Sequence, residues 1–283
     1  MAPITRFAPS PTGRLHLGHA FAAAKVFEFA EQQTGTALLR IEDIDHTRCH
    51  APMIDGIYED LEWLGFNWPQ PVRIQSGHYA QYAKVIIDLV QRGLAYSCIL
   101  SRRDLNAGKR TVVPDSPSHA EAAKVCDRLR SAARYKTPSL PFAVRLNLKA
   151  ALRRAPAKLP YQDSGALKQA LPFLHEWAAS DRPDPIMARR DIGTSYHNAV
   201  THDDHLQGVT DVVRGADFLE QTPLHVLLQN LMKWTTPDYH HHPLVTDLSG
   251  RKFSKSDKDE TLQSLRESGL SPADVLSRAR GTL

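Results

Sequence analysis

Two clusters in this 283-residue chain have the residue types and spacing to handle phosphate. The first runs from Ile4 to His19: a short apolar run breaks at Pro9 and Pro11, turns at Gly13 and delivers His16 and His19 with Gly18 between them. A strand, a Gly/Pro-rich turn and a helix N-terminus make an anion site, because unpaired backbone N–H groups and the helix dipole favour negative charge there. Both histidines stand where they can reach one anion. The second cluster is Gly250-Arg251-Lys252-Phe253-Ser254-Lys255-Ser256. Two lysines three apart, among small hydroxyls, suit a loop that brings cations to a polyphosphate. Either cluster alone reads as ordinary surface; the pair, in this order, does not.

These groups need a scaffold. A helix over residues 18–33 follows the first turn, with Gly35 placed to cap it. Residues 37–45 read as a buried strand ending in Glu42, Asp43 and Asp45, acids that an α/β sheet turns toward its ligand crevice. Residues 54–64 form an amphipathic helix through Ile54, Ile57, Leu61 and Leu64, ended by Gly65, while Trp63, Phe66 and Trp68 belong to packing. Ser76 caps a helix over 77–92, stopped by Gly93. From 94 to 190 the chain turns basic and proline-broken, with an alternating strand over 142–148; it reads as an insertion whose charge suits an RNA backbone. Order returns at Ile192. Residues 209–213 are a β-rich run that sets Arg214 at its carboxyl end, a helix covers 222–232, and Leu244-Val245 begin a last short strand into the lysine cluster. His240-His241-His242 reads as a polar loop before that strand, and the residues after Ser256 suffice for a helix or two.

Composition narrows the class. Hydrophobic residues at 42% and charged residues at 23% are ordinary for a globular protein with a substantial core. A formal charge of +4 is compatible with nucleic acid without requiring it. Three widely spaced cysteines, Cys49, Cys98 and Cys126, argue for a reducing compartment rather than a disulfide framework. Neither a membrane-length apolar run nor a secretion signal is present, so the expected location is the cytoplasm.

The segments His16-Leu17-Gly18-His19 and Lys252-Phe253-Ser254-Lys255-Ser256 resemble the two signature motifs of class I aminoacyl-tRNA synthetases. Three further pieces are similar to the glutamyl branch: Arg6-Phe7-Ala8-Pro9-Ser10-Pro11-Thr12-Gly13, Arg40-Ile41-Glu42-Asp43 and Val213-Arg214-Gly215-Ala216-Asp217. The resemblance implies an α/β fold, with a Rossmann-type parallel sheet, an inserted α+β subdomain and a short helical C-terminal part. The expected divisions are 1–93 and 191–240 for the two halves of the catalytic domain, 94–190 for the insertion, and 241–283 for the lysine loop and C-terminal helices. Ordinary glutamyl enzymes carry a long anticodon-binding part after such a body. Its lack here is similar to the subgroup that glutamylates queuosine in the anticodon of tRNA(Asp).

That resemblance implies roles. Glutamate carries two carboxylates and an ammonium, so its pocket needs fixed cations and an acid; arginine forks match carboxylates. Arg6 and Arg214 are the expected forks, Glu42 the partner of the ammonium, and Tyr196 and Ser10 the hydroxyl contacts, with Phe7, Ala8 and Pro9 beside them. His16, Gly18, His19 and Lys255 are expected at ATP, His16, His19, Lys252 and Lys255 acting in catalysis as pyrophosphate leaves. Magnesium comes with ATP; L-glutamate and queuosine-containing tRNA(Asp) are the other partners, and the enzyme is expected to be a monomer. The family often holds zinc in the insertion, but Leu100 stands where a second cysteine belongs, and Cys98 and Cys126 remain as remnants of a degenerate site. His202-Asp203-Asp204-His205 is metal-like only in composition, since the family reads its acidic pair as part of the sheet edge. Three readings compete: a truncated glutamyl-tRNA synthetase charging a 3′ end, a small-molecule nucleotidyltransferase, and a non-catalytic paralogue serving as a binding module.

Overall fold

The computed structural model describes residues 2–109, 118–244 and 260–281. The chain opens with β1 (Ile4–Phe7), α1 (Leu17–Gln32) and β2 (Thr36–Ile41), followed by α2 (Ala51–Trp63) and β3 (Arg73–Ile74). The three strands form a parallel sheet with β2 between β1 and β3. The left-handed position that ends α1 is Thr34, at φ 53°, and Gly35 completes the cap by donating its N–H to the Ala30 carbonyl at 2.7 Å. Glycine is needed there for a close approach, since a Cβ would stand 2.4 Å from the carbonyl oxygen of Pro3. Strand β2 stops at Ile41, short of the expected 45, although the Glu42 N–H still reaches the Pro9 carbonyl at 3.1 Å, on the offset that joins Thr36 to Pro3. The acids therefore sit on the loop above the sheet. Ile57 and Leu61 bury the inner face of α2, and Gly65 ends it with φ 87°.

Next come α3 (Tyr79–Gln91), β4 (Ala95–Cys98), α4 (Arg102–Asn106), α5 (His119–Ala132), β5 (Ala143–Leu146) and α6 (Leu148–Arg154). Ser76 is not the cap of α3; its N–H and hydroxyl both donate to Asp43, tying the acidic loop down, and a 3-10 turn over Gln75–His78 leads into the helix. The hairpin β6 (Pro160–Asp163) and β7 (Ala166–Gln169) turns at Ser164 and Gly165, both at positive φ, as a two-residue hairpin requires. Then follow α7 (Leu171–Ala179), β8 (Ile186–Ala188) and α8 (Tyr196–Leu206). Strands β4, β5 and β8 make a separate antiparallel sheet.

The chain closes with β9 (Asp211–Gly215), α9 (Thr222–Leu231), β10 (Asp238–His242), α10 (Leu262–Glu267) and α11 (Pro272–Gly281). Three expectations are corrected in this half. His240-His241-His242 is not a loop but the end of β10, where alternate faces give the histidines partners on both sides of the sheet. Leu244 lies beyond that strand, and Val245 is outside the described residues. Asp203 and Asp204 belong to α8 rather than to a sheet edge, while Arg214 stands near the carboxyl end of β9. Strand β10 pairs in parallel with β9, and at Tyr239 with Asp163 of β6. Thr210, just before β9, donates its N–H to the Ile4 carbonyl at 2.9 Å, which brings β9 beside β1. One apolar core fills the space between α1, α2, α10, α11 and the first sheet; a larger one joins α3, α5, α6, α7 and α9. No helix among the described residues is long and apolar enough to cross a membrane.

Candidate active site

A cavity of about 760 Å³ opens where β1, the start of α1, the acidic loop, α8 and the end of β10 converge. Its wall includes Phe7, Ala8, Pro9, Ser10, His16, Gly18 and His19 from the first motif. Glu42, Asp45 and Arg48 come from the loop after β2, Arg189 follows β8, and Tyr196 and His197 open α8. The sequence places these groups at strand ends and helix starts, where side chains and free backbone groups face one crevice.

His16 and His19 organise the turn before either meets a ligand. His16 Nδ1 accepts the Gly18 N–H at 3.1 Å, and His19 Nδ1 accepts the His16 N–H at 3.3 Å, a reciprocal cap built from two imidazoles. The rings lie 3.9 Å apart. Thr261 pairs antiparallel with His16, and Leu244 lines the same cavity. Both flanks of the lysine cluster thus stand at the site, while Lys252 and Lys255 themselves lie outside the described residues.

Arginines from three strands meet the two acids of α8. Arg6 Nε reaches Asp204 Oδ1 at 2.9 Å and Arg40 reaches the same oxygen at 2.7 Å. Arg73 Nε lies 2.8 Å from Asp203, which also accepts from Gln75 and Tyr82. Burial opposes the charge of Asp204, but Arg6 and Arg40 overrule it and keep its carboxyl below the usual range. Asp203 and Asp204 are therefore spent on arginines. Among the described residues no three His, Cys, Asp or Glu side chains gather as a metal site; Cys98 is buried in β4 and Cys126 in α5.

Glu42 behaves differently. Burial pushes its carboxyl up to about 7, against the pull of Arg40 and Arg6. A carboxylate held so close to neutrality gains strongly from an incoming ammonium. Tyr196 faces the same charges, and burial raises its hydroxyl to about 12. At the mouth, burial works against the charge of Asp45, but bonds from Thr47, Arg48 and Arg189 bring it down to about 2.

Arg214 is buried beside Tyr196 and Phe218 rather than in the wall itself, its guanidinium 5.4 Å from the Phe218 ring centre. Arg6 is likewise buried behind the wall, next to Glu42 and Tyr196. Arg214 makes no ion pair among the described residues. Its Nε donates to His241 Nε2 at 3.2 Å, one terminal nitrogen to His225 Nδ1 at 3.3 Å, and the other to Thr222 Oγ1 at 2.7 Å and the Phe218 carbonyl at 3.4 Å. Every partner is neutral, so the full positive charge is left for an anion. Arginine only donates, so the facing nitrogens of both histidines are bare, and the His225 hydrogen lies on Nε2, 3.0 Å from His197 Nδ1. Burial and the nearby guanidinium lower His225 well below its ordinary range and His197 to about 4.

The structure thus gathers Phe7, Ala8, Pro9, Ser10, His16, Gly18, His19, Glu42 and Tyr196 around one cavity, with Arg6 and Arg214 packed behind it. Asp45 falls among the acids expected at the crevice; Arg48, Arg189, His197 and His225 were not singled out by the sequence, and His241 was read only as part of a polar loop. The histidines carry one legible signal: His241 falls opposite Arg214 in the β9–β10 register, which recognition of that strand would have exposed.

The family model for the catalytic domain of class I tRNA synthetases specific for E and Q matches residues 4–280. The chain is 39% identical over 277 residues to the glutamyl-Q tRNA(Asp) synthetase of Rhodobacter capsulatus, covering 96% of this chain and 98% of that one. It is 34% identical to glutamate–tRNA ligase 1 of Hyphomonas neptunium, covering 96% of this chain but 57% of the ligase. Among solved structures, a glutamate tRNA ligase from Elizabethkingia meningosepticum in complex with its amino acid superposes with a TM-score of 0.71 at 24% identity, over 96% of this chain and 59% of that one. Methionyl-tRNA synthetase of Mycobacterium tuberculosis follows the same fold at a TM-score of 0.55 and 11% identity.

Proposed function

The chain belongs to the class I tRNA synthetases of the glutamyl and glutaminyl branch, and from that premise we propose that it activates L-glutamate with ATP and transfers it to queuosine in the anticodon of tRNA(Asp). The observation that carries the choice of acceptor is the match to the Rhodobacter enzyme, which spans nearly the whole of both chains, whereas the match to the Hyphomonas ligase takes in little more than half of it.

Glutamate enters between Glu42 and Tyr196. Its ammonium meets the Glu42 carboxylate, which burial has left short of a counter-charge, and a side-chain or α-carboxylate is drawn toward Arg214. Arg6 adds positive potential from behind Glu42 but is already tied to Asp204, so its part is electrostatic. ATP lies over the His16–His19 turn: each Nδ1 accepts a backbone N–H of the turn, so each neutral ring carries its hydrogen on Nε2, from which it can donate to phosphate. Magnesium accompanies ATP as part of the substrate. The α-carboxylate oxygen then attacks the α-phosphorus, the bond to the bridging oxygen breaks, and pyrophosphate leaves with glutamyl-adenylate held in the cavity. Lys252 and Lys255 are assigned to the departing charge on their sequence motif. A hydroxyl of the queuosine cyclopentene ring next attacks the mixed anhydride, losing its proton as AMP departs. We place this reaction in the cytoplasm, where its ATP and tRNA are found.

Amino-acid-dependent exchange of labelled pyrophosphate into ATP tests the activation step. L-glutamate, and none of the other nineteen amino acids, supports exchange; exchange without any amino acid would favour a small-molecule nucleotidyltransferase. Ribonuclease mapping of tRNA labelled with glutamate tests the acceptor. Label in the anticodon fragment supports the reading, and label on the 3′-terminal adenosine contradicts it.

A further inference from the structure

The hairpin β6–β7 lies within the basic, proline-broken stretch of the chain, yet it reaches the buried cation of the site. Asp163 at the end of β6 pairs with Tyr239 of β10, and the Ser164 N–H donates to the Tyr239 carbonyl at 2.7 Å. This docking brings Asp163 Oδ1 to 2.9 Å from His241 Nδ1. The other Asp163 oxygen accepts from Lys168 Nζ of β7 at 2.7 Å. Asp163 and His241 are both buried, with 3% of either side chain exposed, while Lys168 reaches solvent.

The direction of each bond follows from the arginine. Arg214 Nε–H can only donate, so His241 Nε2 must present a lone pair and its hydrogen must lie on Nδ1. Asp163 is the acceptor that holds the hydrogen there. A carboxylate behind an imidazole fixes both tautomer and ring orientation. The Thr222 hydroxyl, 3.2 Å from His241 Nε2 and 2.7 Å from Arg214, closes the arrangement on its remaining side.

We infer that Asp163 is a positioning residue for the amino-acid site, acting through His241 to hold the Arg214 guanidinium at the angle its anionic substrate meets. The carboxylate touches no substrate; it sets the geometry of the group that does. The inference rests on the glutamate reading only for the identity of that substrate.

Two measurements test it. In pyrophosphate exchange, Asp163→Asn raises the KM for glutamate about fivefold to tenfold and leaves the KM for ATP within about twofold. His241→Leu raises the glutamate KM by about thirtyfold or more, whereas His241→Gln, which can accept from Arg214 and donate to Asp163, stays within about threefold of the parent. The Asp163→Asn, His241→Leu double variant is no worse than His241→Leu alone, because the two act in series. In ¹⁵N spectra of the full chain, the Arg214 Nε–H gives a resonance protected from exchange, and His241 shows the Nδ1–H tautomer; Asp163→Asn loses the protection. An unchanged glutamate KM in Asp163→Asn overturns the inference, as does a joint rise in both KM values or His241→Gln no better than His241→Leu. If the parent enzyme shows no glutamate-dependent exchange, the functional reading fails and the spectra decide the coupling. Loss of the protected Arg214 signal in Asp163→Asn then upholds it, and persistence of the signal overturns it.

Discussion

Arginines stand on both sides of this cavity, but they are kept in opposite ways. On the first sheet, β1, β2 and β3 each contribute one arginine, and Arg6, Arg40 and Arg73 face Asp203 and Asp204 of α8 with Glu42 close by. Charge there is nearly balanced. On β9, Arg214 is surrounded by two imidazoles, a hydroxyl and a carbonyl, none of which cancels its charge. A buried cation without a counter-ion costs several kcal/mol unless something compensates, on the order of the desolvation of one ion. A fold keeps such a group where a ligand supplies the missing anion. The balanced arginines hold α8 against the sheet; the unbalanced one waits for a carboxylate.

The contrast is sharpest in stability. Asp204→Asn leaves Arg6 and Arg40 buried without their shared acid, and urea unfolding should lose about 3–5 kcal/mol. A loss below about 1 kcal/mol would mean that Asp204 does not balance that side. Arg214→Gln should reverse the pattern. It lowers kcat/KM for glutamate by about a hundredfold to a thousandfold, yet costs at most about 1 kcal/mol of stability, because relief of the buried charge offsets the loss of neutral hydrogen bonds. Equal effects of the two substitutions on folding would erase the distinction.

Glu42 probes the border between the regions. Its carboxyl is raised to about 7, so kcat/KM for glutamate should fall about tenfold per unit as pH drops below that value. Glu42→Gln should lower the plateau and remove the slope. Stability runs the other way: the folded state binds more protons than the unfolded chain between about 4.5 and 7, so stability falls as pH rises through that window. Thermal melts across it, compared with Glu42→Gln, measure the difference. The smallest effect is expected at His16, where alanine removes a helix cap for about 1 kcal/mol while lowering the exchange rate with ATP.

Much of the site was legible because it is local. The His16-Leu17-Gly18-His19 turn, the acids after β2 and Arg214 near the end of β9 follow from strand-to-helix punctuation and from the placing of ligands at carboxyl ends. Fold class followed from the resemblance of the two signature motifs to class I synthetases. What failed was long-range. Three consecutive histidines have low strand preference and read as a loop, yet pairing with β9 and β6 makes them β10. Asp203 and Asp204 were mistaken for a sheet edge because the arginines that claim them come from residues 6, 40 and 73. Ser76 resembles a helix cap by spacing alone; Asp43, 33 positions earlier, takes both of its donors. The tautomers around Arg214 depend on contacts among β9, α8, α9 and β10 that no window of sequence contains.

The most direct test of the account is incorporation of labelled glutamate, with ATP, into two tRNA pools, one from cells that make queuosine and one from cells that cannot. Label confined to the queuosine-containing pool, and stable to removal of the 3′-terminal nucleotide, is the expected result. Equal labelling of the two pools would contradict it and make the chain a 3′-end charging enzyme.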